Sequence, residues 1–338
     1  MNVNFCCSSF RTVVNSLRMD RPIPSSTKCK VGILGFGLIG QYIARRLLDT
    51  AHPQFIGDTA ELTFVWNRTA SKLRGPACLE AIDCEIPESS ILEDLDNMET
   101  QFPIVDVIVE VAHPNIYVTH GERLLRHSSV YVGSPTAFAN REVFERLKTL
   151  VIPGHALYFP SGALWGATDV LKMGNMKTLA QVSITMRKPP HSFRLEEPLQ
   201  SALKAYTDLL DNPETRDDAP SSFTLYDGPV RGICPLAPNN VNTMACLAVA
   251  SGEELGFDLC RGILVADATV AAHIIDITIK GKPIPGRDDV FEVTTRRFNP
   301  CDPNQVTATA TYPSFLASLK NIIAKGEFLK SEGGVQFV

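Results

Sequence analysis

Residues 30–40 read Lys-Val-Gly-Ile-Leu-Gly-Phe-Gly-Leu-Ile-Gly, which places a short apolar strand directly before the pattern Gly35-x-Gly37-x-x-Gly40. In this context Gly35 permits a tight turn, Gly37 lets the backbone approach a pyrophosphate, and Gly40 lets the next helix pack on the strand. The amino end of that helix attracts phosphate through its free amides and its dipole. The stretch therefore predicts a dinucleotide site that includes Gly35, Gly37, Leu38, Ile39 and Gly40.

Strand-like and helix-like segments alternate from residue 30 to about residue 149, a pattern typical of a doubly wound parallel sheet. The predicted strands cover 31–34, 62–66, 105–110, 129–132 and 156–159, and the predicted helices cover 41–48, 90–95, 117–126 and 141–150. Ligands bind at the carboxyl ends of such strands. The loops that begin at Gly35, Asn67, Val111 and Gly133 should therefore line one crevice, to which Ala112 contributes.

The pattern changes after Pro160. Alternating runs over 180–187, 223–226, 273–280 and 291–297 predict a mostly antiparallel sheet, with helices over 166–173, 198–211 and 243–250 and a loop over 212–222. The predicted fold is α/β: a Rossmann-type doubly wound parallel sheet plus a second, α+β catalytic domain. The predicted division is a flexible extension over 1–29, a dinucleotide-binding domain over 30–155, a catalytic domain over 156–305, and a C-terminal helical segment over 306–338 that can pack back on the first domain.

Composition excludes several classes of protein. The chain has 338 residues, 44% of them hydrophobic, and a net charge of -5, without the basic stripe that nucleic-acid binding needs. No apolar run approaches the roughly 18 residues that span a bilayer. The nine cysteines form no C-x-x-C pair, so neither a zinc site nor any other metal is expected. Residues 1–29 contain a single acid, Asp20, among several basic residues and serines, which fits a flexible extension of a cytoplasmic protein and also a mitochondrial transit peptide.

The end of the second predicted strand bears on the choice between NAD and NADP. NAD-selective sites commonly place an acid there, to accept a hydrogen bond from the ribose 2′-hydroxyl. Here the strand runs into Asn67-Arg68, where Arg68 suits a 2′-phosphate but also fits a solvated surface arginine. We predict that NADP is used at least as well as NAD.

Further motifs follow one another along the chain: 64–68 (Phe-Val-Trp-Asn-Arg), 109–114 (Val-Glu-Val-Ala-His-Pro), 132–135, 162–166 (Gly-Ala-Leu-Trp-Gly), 228–232, 237–245 (Ala-Pro-Asn-Asn-Val-Asn-Thr-Met-Ala) and 299–300. In this order they resemble the L-aspartate dehydrogenase family, in its animal branch. The resemblance implies an NAD(P)-dependent, homodimeric enzyme that oxidatively deaminates L-aspartate through iminosuccinate to oxaloacetate and ammonia, or runs in reverse. It also implies that His273 is the catalytic histidine and that Ala163 and Asn240 contact the cofactor, with Asn242 a close neighbour. Many microbial members have a small residue where this chain has the bulkier Met244.

The expected chemistry needs a group that deprotonates the amine and activates water, and histidine suits both tasks. Among seven histidines, His113 follows the third long strand and competes with His273, which has Asp267 and Asp276 nearby in sequence as candidate orienting carboxylates. The family match favours His273.

A dicarboxylate substrate needs cationic or amide groups to bind it, and arginine matches a carboxylate best. The candidate cations are Arg187, Lys188, Arg231, Arg296 and Arg297. We favour Arg231, because its loop leads into the Asn240 motif, with Asn242 and His113 as further substrate candidates. Two other functions stay open: a related reductase of another dicarboxylate, and a non-catalytic NADP-binding sensor or scaffold.

Overall fold

The computed structural model describes residues 28–74, 85–151, 154–162, 164–287, 289–304, 306–332 and 334–338. Ala163 and most of the N-terminal extension lie outside the described residues.

The described residues form strands in two sheets. In chain order they are β1 (Cys29–Leu34), β2 (Ala60–Trp66), β3 (Ile91–Leu92), β4 (Val107–Glu110), β5 (Ser129–Val132), β6 (Ala156–Phe159), β7 (Leu179–Lys188), β8 (Ser222–Pro229), β9 (Arg261–Asp267), β10 (Ala272–Gly281), β11 (Glu292–Pro300) and β12 (Gly334–Phe337). The helices are α1 (Leu38–Leu48), α2 (Met98–Gln101), α3 (Asn115–Thr119), α4 (Gly121–His127), α5 (Arg141–Lys148), α6 (Ala167–Asn175), α7 (Leu199–Asp211), α8 (Val230–Ile233), α9 (Asn242–Ala250), α10 (Gly252–Leu259) and α11 (Thr311–Glu332).

The first sheet has the order β12-β6-β5-β4-β1-β2-β3, and all its neighbouring strands are parallel. Val31, Ile33 and Leu34 of the interior strand β1 are fully buried, as expected for a strand covered on both faces. From β1 the chain order runs outward through β2 on one side and through β4 on the other. The topological switch therefore lies between β1 and β4, where such sheets bind their ligands.

The C-terminal segment completes this sheet. β12 pairs with β6, and on α11 the ring of Phe315 lies 4.2 Å from that of Tyr131, centroid to centroid. The Tyr131 hydroxyl donates to the carbonyl oxygen of Phe315 at 3.1 Å. The C-terminal segment is therefore packed on the first sheet.

The second sheet has the order β11-β10-β7-β9-β8. β7 and β9 are parallel, and the other three pairs are antiparallel. One face, here called the inner face, carries buried aliphatic side chains, among them Val182, Ile184, Ile277 and Ile279. The opposite, outer face carries half-exposed polar residues such as Thr185 and Thr278. The predicted fold class, a Rossmann-type sheet plus a mostly antiparallel α+β domain, is confirmed.

Local predictions were wrong at several places. The helix predicted over 90–95 is instead the edge strand β3, because Ile91 and Leu92 pair with Val65 and Trp66 of β2 and are buried there. The helix predicted over 117–126 breaks at His120 into α3 and α4. The strands β9 and β12 and the helix α10 were not predicted.

Candidate active site

The glycine loop between β1 and α1 has the geometry that its sequence predicts. Gly35 has a φ of +99°, and a Cβ at this position would lie 2.6 Å from the backbone of Ala112. A Cβ at Gly40 would overlap the carbonyl oxygen of Gly35, whereas one at Gly37 would meet no heavy atom within 4 Å. The first and third glycines are thus required by packing. The second faces open space at the amino end of α1, which leaves room for a pyrophosphate.

Asn67 joins the end of β2 to this loop. Its Oδ1 accepts from the backbone N–H of Phe36 at 3.2 Å, and its Nδ2 donates to the carbonyl oxygen of Thr69 at 2.9 Å. The next residue, Arg68, is exposed and forms no ion pair with any described residue. No acid ends this strand, and the exposed cation Arg68 follows Asn67 directly.

Glu110 is a buried carboxyl group that sequence reasoning missed. Its Oε1 accepts from the backbone N–H of Ala112 at 2.8 Å and from the hydroxyl of Ser134 at 3.0 Å, and its Oε2 accepts from the backbone N–H of Ser134 at 3.0 Å. Complete burial raises the pKa of this carboxyl. Glu110 therefore ties together the two loops that follow β4 and β5. The available signal was one acid at the end of an otherwise apolar strand.

A cavity of about 110 Å³ lies where these loops meet the second domain. The described residues that line it come from the first-sheet loops, from α9, from β11 and from α11: Ile39, Gly133, Pro135, Pro160, Ser161, Gly162, Asn242, Thr243, Cys246, Arg297, Thr311, Ser314 and Phe315. It is therefore formed by both domains and closed by the C-terminal helix.

Asn242 bridges the two domains at this cavity. Its Nδ2 donates to the carbonyl oxygen of Gly133 at 3.3 Å, while its Oδ1 is buried and has no hydrogen-bond partner among the described residues. A buried acceptor without a partner is costly. A carboxamide N–H, such as that of a nicotinamide, would satisfy it, so the cavity and the glycine loop together fit a nicotinamide dinucleotide.

His273 lies at the start of β10, buried in a row of polar side chains. It pairs with Asn299 on β11, and the pairing of Ile274 with Arg187 makes Lys188 the next register position opposite His273 on β7. Directly opposed residues share a face of the sheet. Asn299, His273 and Lys188 thus cross the inner face side by side, and they are only 6%, 6% and 3% exposed.

Arg297 belongs to the next row of the same face, because it pairs with Ile275, two residues along β10 from His273. Its side chain lines the cavity, whereas His273 is not among the described lining residues. The carboxylates considered as orienting groups for His273 lie on the outer face. There Asp267 pairs with Arg187 and Asp276 with Arg296.

Asn240 lies next to the polar row, but both polar atoms of its side chain form hydrogen bonds with the backbone. Its Oδ1 accepts from the backbone N–H of Arg194 at 2.9 Å, and its Nδ2 donates to the carbonyl oxygen of Ser192 at 3.3 Å. Its own carbonyl oxygen accepts from the amine of Lys188 at 3.0 Å. The side chain of Asn240 thus holds the loop after β7, and its backbone contacts the row that contains His273.

The structure places Arg231 and His113 in another groove, of about 460 Å³. Arg231 donates to both carboxylate oxygens of Asp258, at 2.6 and 2.9 Å, and to the carbonyl oxygen of Ala139. His113 is exposed, and its Nδ1 accepts from the backbone N–H of Asn115 at 3.2 Å. These two predicted substrate residues lie together, but the residues described around the smaller cavity include neither of them.

No group of three or more His, Cys, Asp or Glu side chains is arranged to hold a metal ion in the described part of the chain. Among the described helices, none combines the length and the apolar character needed to cross a membrane.

Comparison with known proteins agrees with this geometry. Residues 35–160 match the NAD-binding domain model of homoserine dehydrogenase, and residues 169–322 match the C-terminal domain model of aspartate dehydrogenase. An aspartate dehydrogenase domain-containing protein of Xenopus tropicalis is 41% identical over 86% of this chain and 94% of its own. An L-aspartate dehydrogenase of Methanocella arvoryzae is 27% identical over 75% of this chain and 84% of its own.

The solved structure of aspartate dehydrogenase from Thermotoga maritima has the same fold. It superposes with a TM-score of 0.56 at 19% identity and covers 88% of this chain and 97% of its own. The nucleotide-binding match and the glycine loop identify the cofactor as NAD or NADP. With the C-terminal domain match and the 41% identical relative, the chain belongs to the aspartate dehydrogenase family of oxidoreductases.

Proposed function

We propose that this protein catalyses the NAD(P)-dependent oxidative deamination of L-aspartate, through iminosuccinate, to oxaloacetate and ammonia, and the reverse amination. The observation that carries the proposal is the buried row of Asn299, His273 and Lys188 on the inner face, one row from Arg297 in the cavity beside Gly133. The name of the Methanocella arvoryzae relative supports aspartate as the substrate.

The glycine loop would hold the pyrophosphate, and Asn242 with the loop over 160–162 would hold the nicotinamide. Arg68 would face the adenosine ribose, where a guanidinium favours a 2′-phosphate. We therefore propose that NADP is used at least as well as NAD. When bound, the cofactor supplies the acceptor for the hydride that leaves the α carbon.

His273 is assigned as the general acid and base. The α-amino group must lose a proton before the hydride leaves, and an imidazole, which titrates near neutral pH, can accept that proton on a ring nitrogen. Between the two steps the imidazolium releases the amine proton to solvent, so that the neutral ring can remove a proton from the water that attacks the imine carbon and give it to the departing ammonia. Burial of His273 limits the contact of its ring with bulk water, so these protons move through groups and water bound beside the ring.

Turnover by the purified full-length chain tests the proposal. L-aspartate with NADP or NAD should yield NADPH or NADH together with ammonia, and L-glutamate, L-alanine and L-malate should react more slowly. A preference for malate would favour a related hydroxy-acid enzyme instead. Tight NADPH binding without turnover of any of these substrates would favour the non-catalytic alternative.

A further inference from the structure

The cations near the second sheet fall into two groups. Three of them have carboxylate partners: Arg187 with Asp267 at 3.6 Å, Arg231 with Asp258 at 2.6 Å, and Arg296 with Asp276 at 3.7 Å. Lys188 and Arg297 form no ion pair with any described residue, and both lie on the inner face with His273. Lys188 and Arg297 therefore differ from the other three cations both in their position on the inner face and in their lack of a carboxylate partner.

Lys188 is a buried amine with spare hydrogen-bonding capacity. An ammonium group has three N–H donors, and the one hydrogen bond found for this amine goes to the carbonyl oxygen of Asn240 at 3.0 Å. The amine also lies 5.8 Å from the ring centroid of Phe193. Burying an ammonium without a counter-charge is costly unless an anion joins it. The surroundings of Lys188 are therefore suited to an anionic ligand.

Arg297 offers a second cation on the same surface. Its side chain is half-buried in the wall of the cavity, and its guanidinium donates to no described residue. Burial lowers the pKa of this guanidinium, and none of the described carboxylates forms an ion pair with it. A guanidinium presents a planar pair of donors that matches a carboxylate. Its setting is therefore suited to a carboxylate ligand.

We propose that Lys188 and Arg297 together bind the two carboxylate groups of the substrate, one group each. The identity of the substrate as a four-carbon amino dicarboxylate rests on the function proposed above. The presence of two cations without carboxylate partners among the described residues, on the same face as His273, does not. Lys188 on β7 and Arg297 on β11 lie in neighbouring rows of the inner face, and β10 with His273 runs between them. Their long side chains can therefore reach one small molecule held against His273. Arg231, already bound to Asp258, is left with a structural role.

Succinate binding to the NADPH-loaded protein tests this assignment without turnover. Titration calorimetry would compare the wild type with Lys188→Met and Arg297→Met. The matched controls are Arg187→Met and Arg296→Met, which remove the adjacent cations on the outer face. Each inner-face variant should weaken succinate binding by about 10-fold to 100-fold, the value of a hydrogen bond to a charged group, and each control by less than about 2-fold. Butyrate, which has one carboxylate, should bind the wild type more weakly than succinate.

Unchanged succinate affinity in both inner-face variants, or equal loss in the controls, would overturn the assignment. NADPH affinity and thermal melting show whether each variant is folded, and the Arg297 and Arg296 pair decides the outcome if Lys188→Met does not fold. Wild-type turnover of aspartate is measured separately. Turnover with unaffected binding in the variants would remove only the carboxylate assignment, whereas lost binding without turnover would remove only the proposed reaction.

Discussion

Both faces of the second sheet carry cationic side chains, but only the cations of the outer face have carboxylate partners among the described residues. On the outer face Arg187 and Arg296 are partly exposed and pair with carboxylates. On the inner face their chain neighbours Lys188 and Arg297 are more buried and have no carboxylate partner among the described residues. One step along each strand thus separates a cation with a counter-charge from a cation without one.

This difference between the two faces indicates which cations are available to bind a ligand. An exposed ion pair contributes little to stability and is compatible with solvent on one side. A buried cation without a partner lowers the stability of the folded protein, and such groups cluster at functional sites. This difference is why we propose that the cations of the inner face bind a ligand, and His273 lies on the same face.

The largest expected effect separates His273 from the outer face. His273→Gln should lower kcat for aspartate oxidation by about 10²-fold to 10⁴-fold, because it removes the general acid and base. Asp276→Asn, which changes the outer-face carboxylate three residues later, should leave kcat within about 2-fold. Steady-state kinetics of both variants check this. A comparable loss in Asp276→Asn would mean that the outer face takes part in catalysis.

The second expected effect is a pH dependence of stability caused by Lys188. Burial lowers the pKa of its amine from the usual 10.5 to about 8 in the folded protein. Below pH 8 the amine is charged in both states, and the full penalty of burying the charge is present. Between pH 8 and 10.5 only the unfolded chain holds the proton, so the folded state becomes relatively more stable as the pH rises.

Urea unfolding of the wild type and of Lys188→Met should show this difference. From pH 8 to pH 10 the wild type should gain stability relative to the variant by about 1 kcal/mol per pH unit. Repeating the comparison in a Cys301→Ser background removes the group whose thiolate form raises the pKa of this amine. Parallel curves for wild type and variant would show that the amine is already neutral, or well solvated, at pH 8.

Much of this architecture could be predicted from the sequence, because the decisive signals are local. The glycine loop, the strand before it and the missing acid at Asn67 are contiguous features, and the structure has them as expected. The catalytic role assigned to His273 came from family resemblance and stays a prediction. The short strand β3 was missed because Ile91 and Leu92 are strand only through pairing with β2.

The choice among the cations could not be made from the sequence. Arg296 and Arg297 are adjacent, and which of them faces the core depends on the side of the sheet that the rest of the protein covers. The position of the bulky Met244 side chain could not be predicted from the sequence either. Its side chain is fully buried and fills the space left by Gly262 on β9, and it is not among the described residues that line the cavity.

A smaller effect is expected in the nucleotide domain, where the same contrast between free and paired cations recurs. Arg68 has no ion-pair partner among the described residues, whereas Arg74 pairs with Glu88 and Glu93 at 2.6 Å. Arg68→Ala should reduce kcat/KM with NADP by about 10-fold relative to NAD, the value of one charged contact to a phosphate. Arg74→Ala should leave the NADP/NAD ratio unchanged. An unaltered ratio in Arg68→Ala would place the 2′-phosphate elsewhere.

The smallest expected effect concerns the outer-face pair of Arg296 and Asp276, whose N–O distance is 3.7 Å and whose side chains are 64% and 31% exposed. A double-mutant cycle with Arg296→Met and Asp276→Asn should give a coupling energy of about 0.5 kcal/mol or less, because water and salt screen exposed charges. The coupling should decrease further in high salt, when measured by urea unfolding. A coupling of several kcal/mol that salt does not change would mean that another molecule covers this face and buries the pair. In that case both faces of the sheet would be buried, and the free state of Lys188 and Arg297 would have to be explained by ligand binding alone, not by a contrast in exposure.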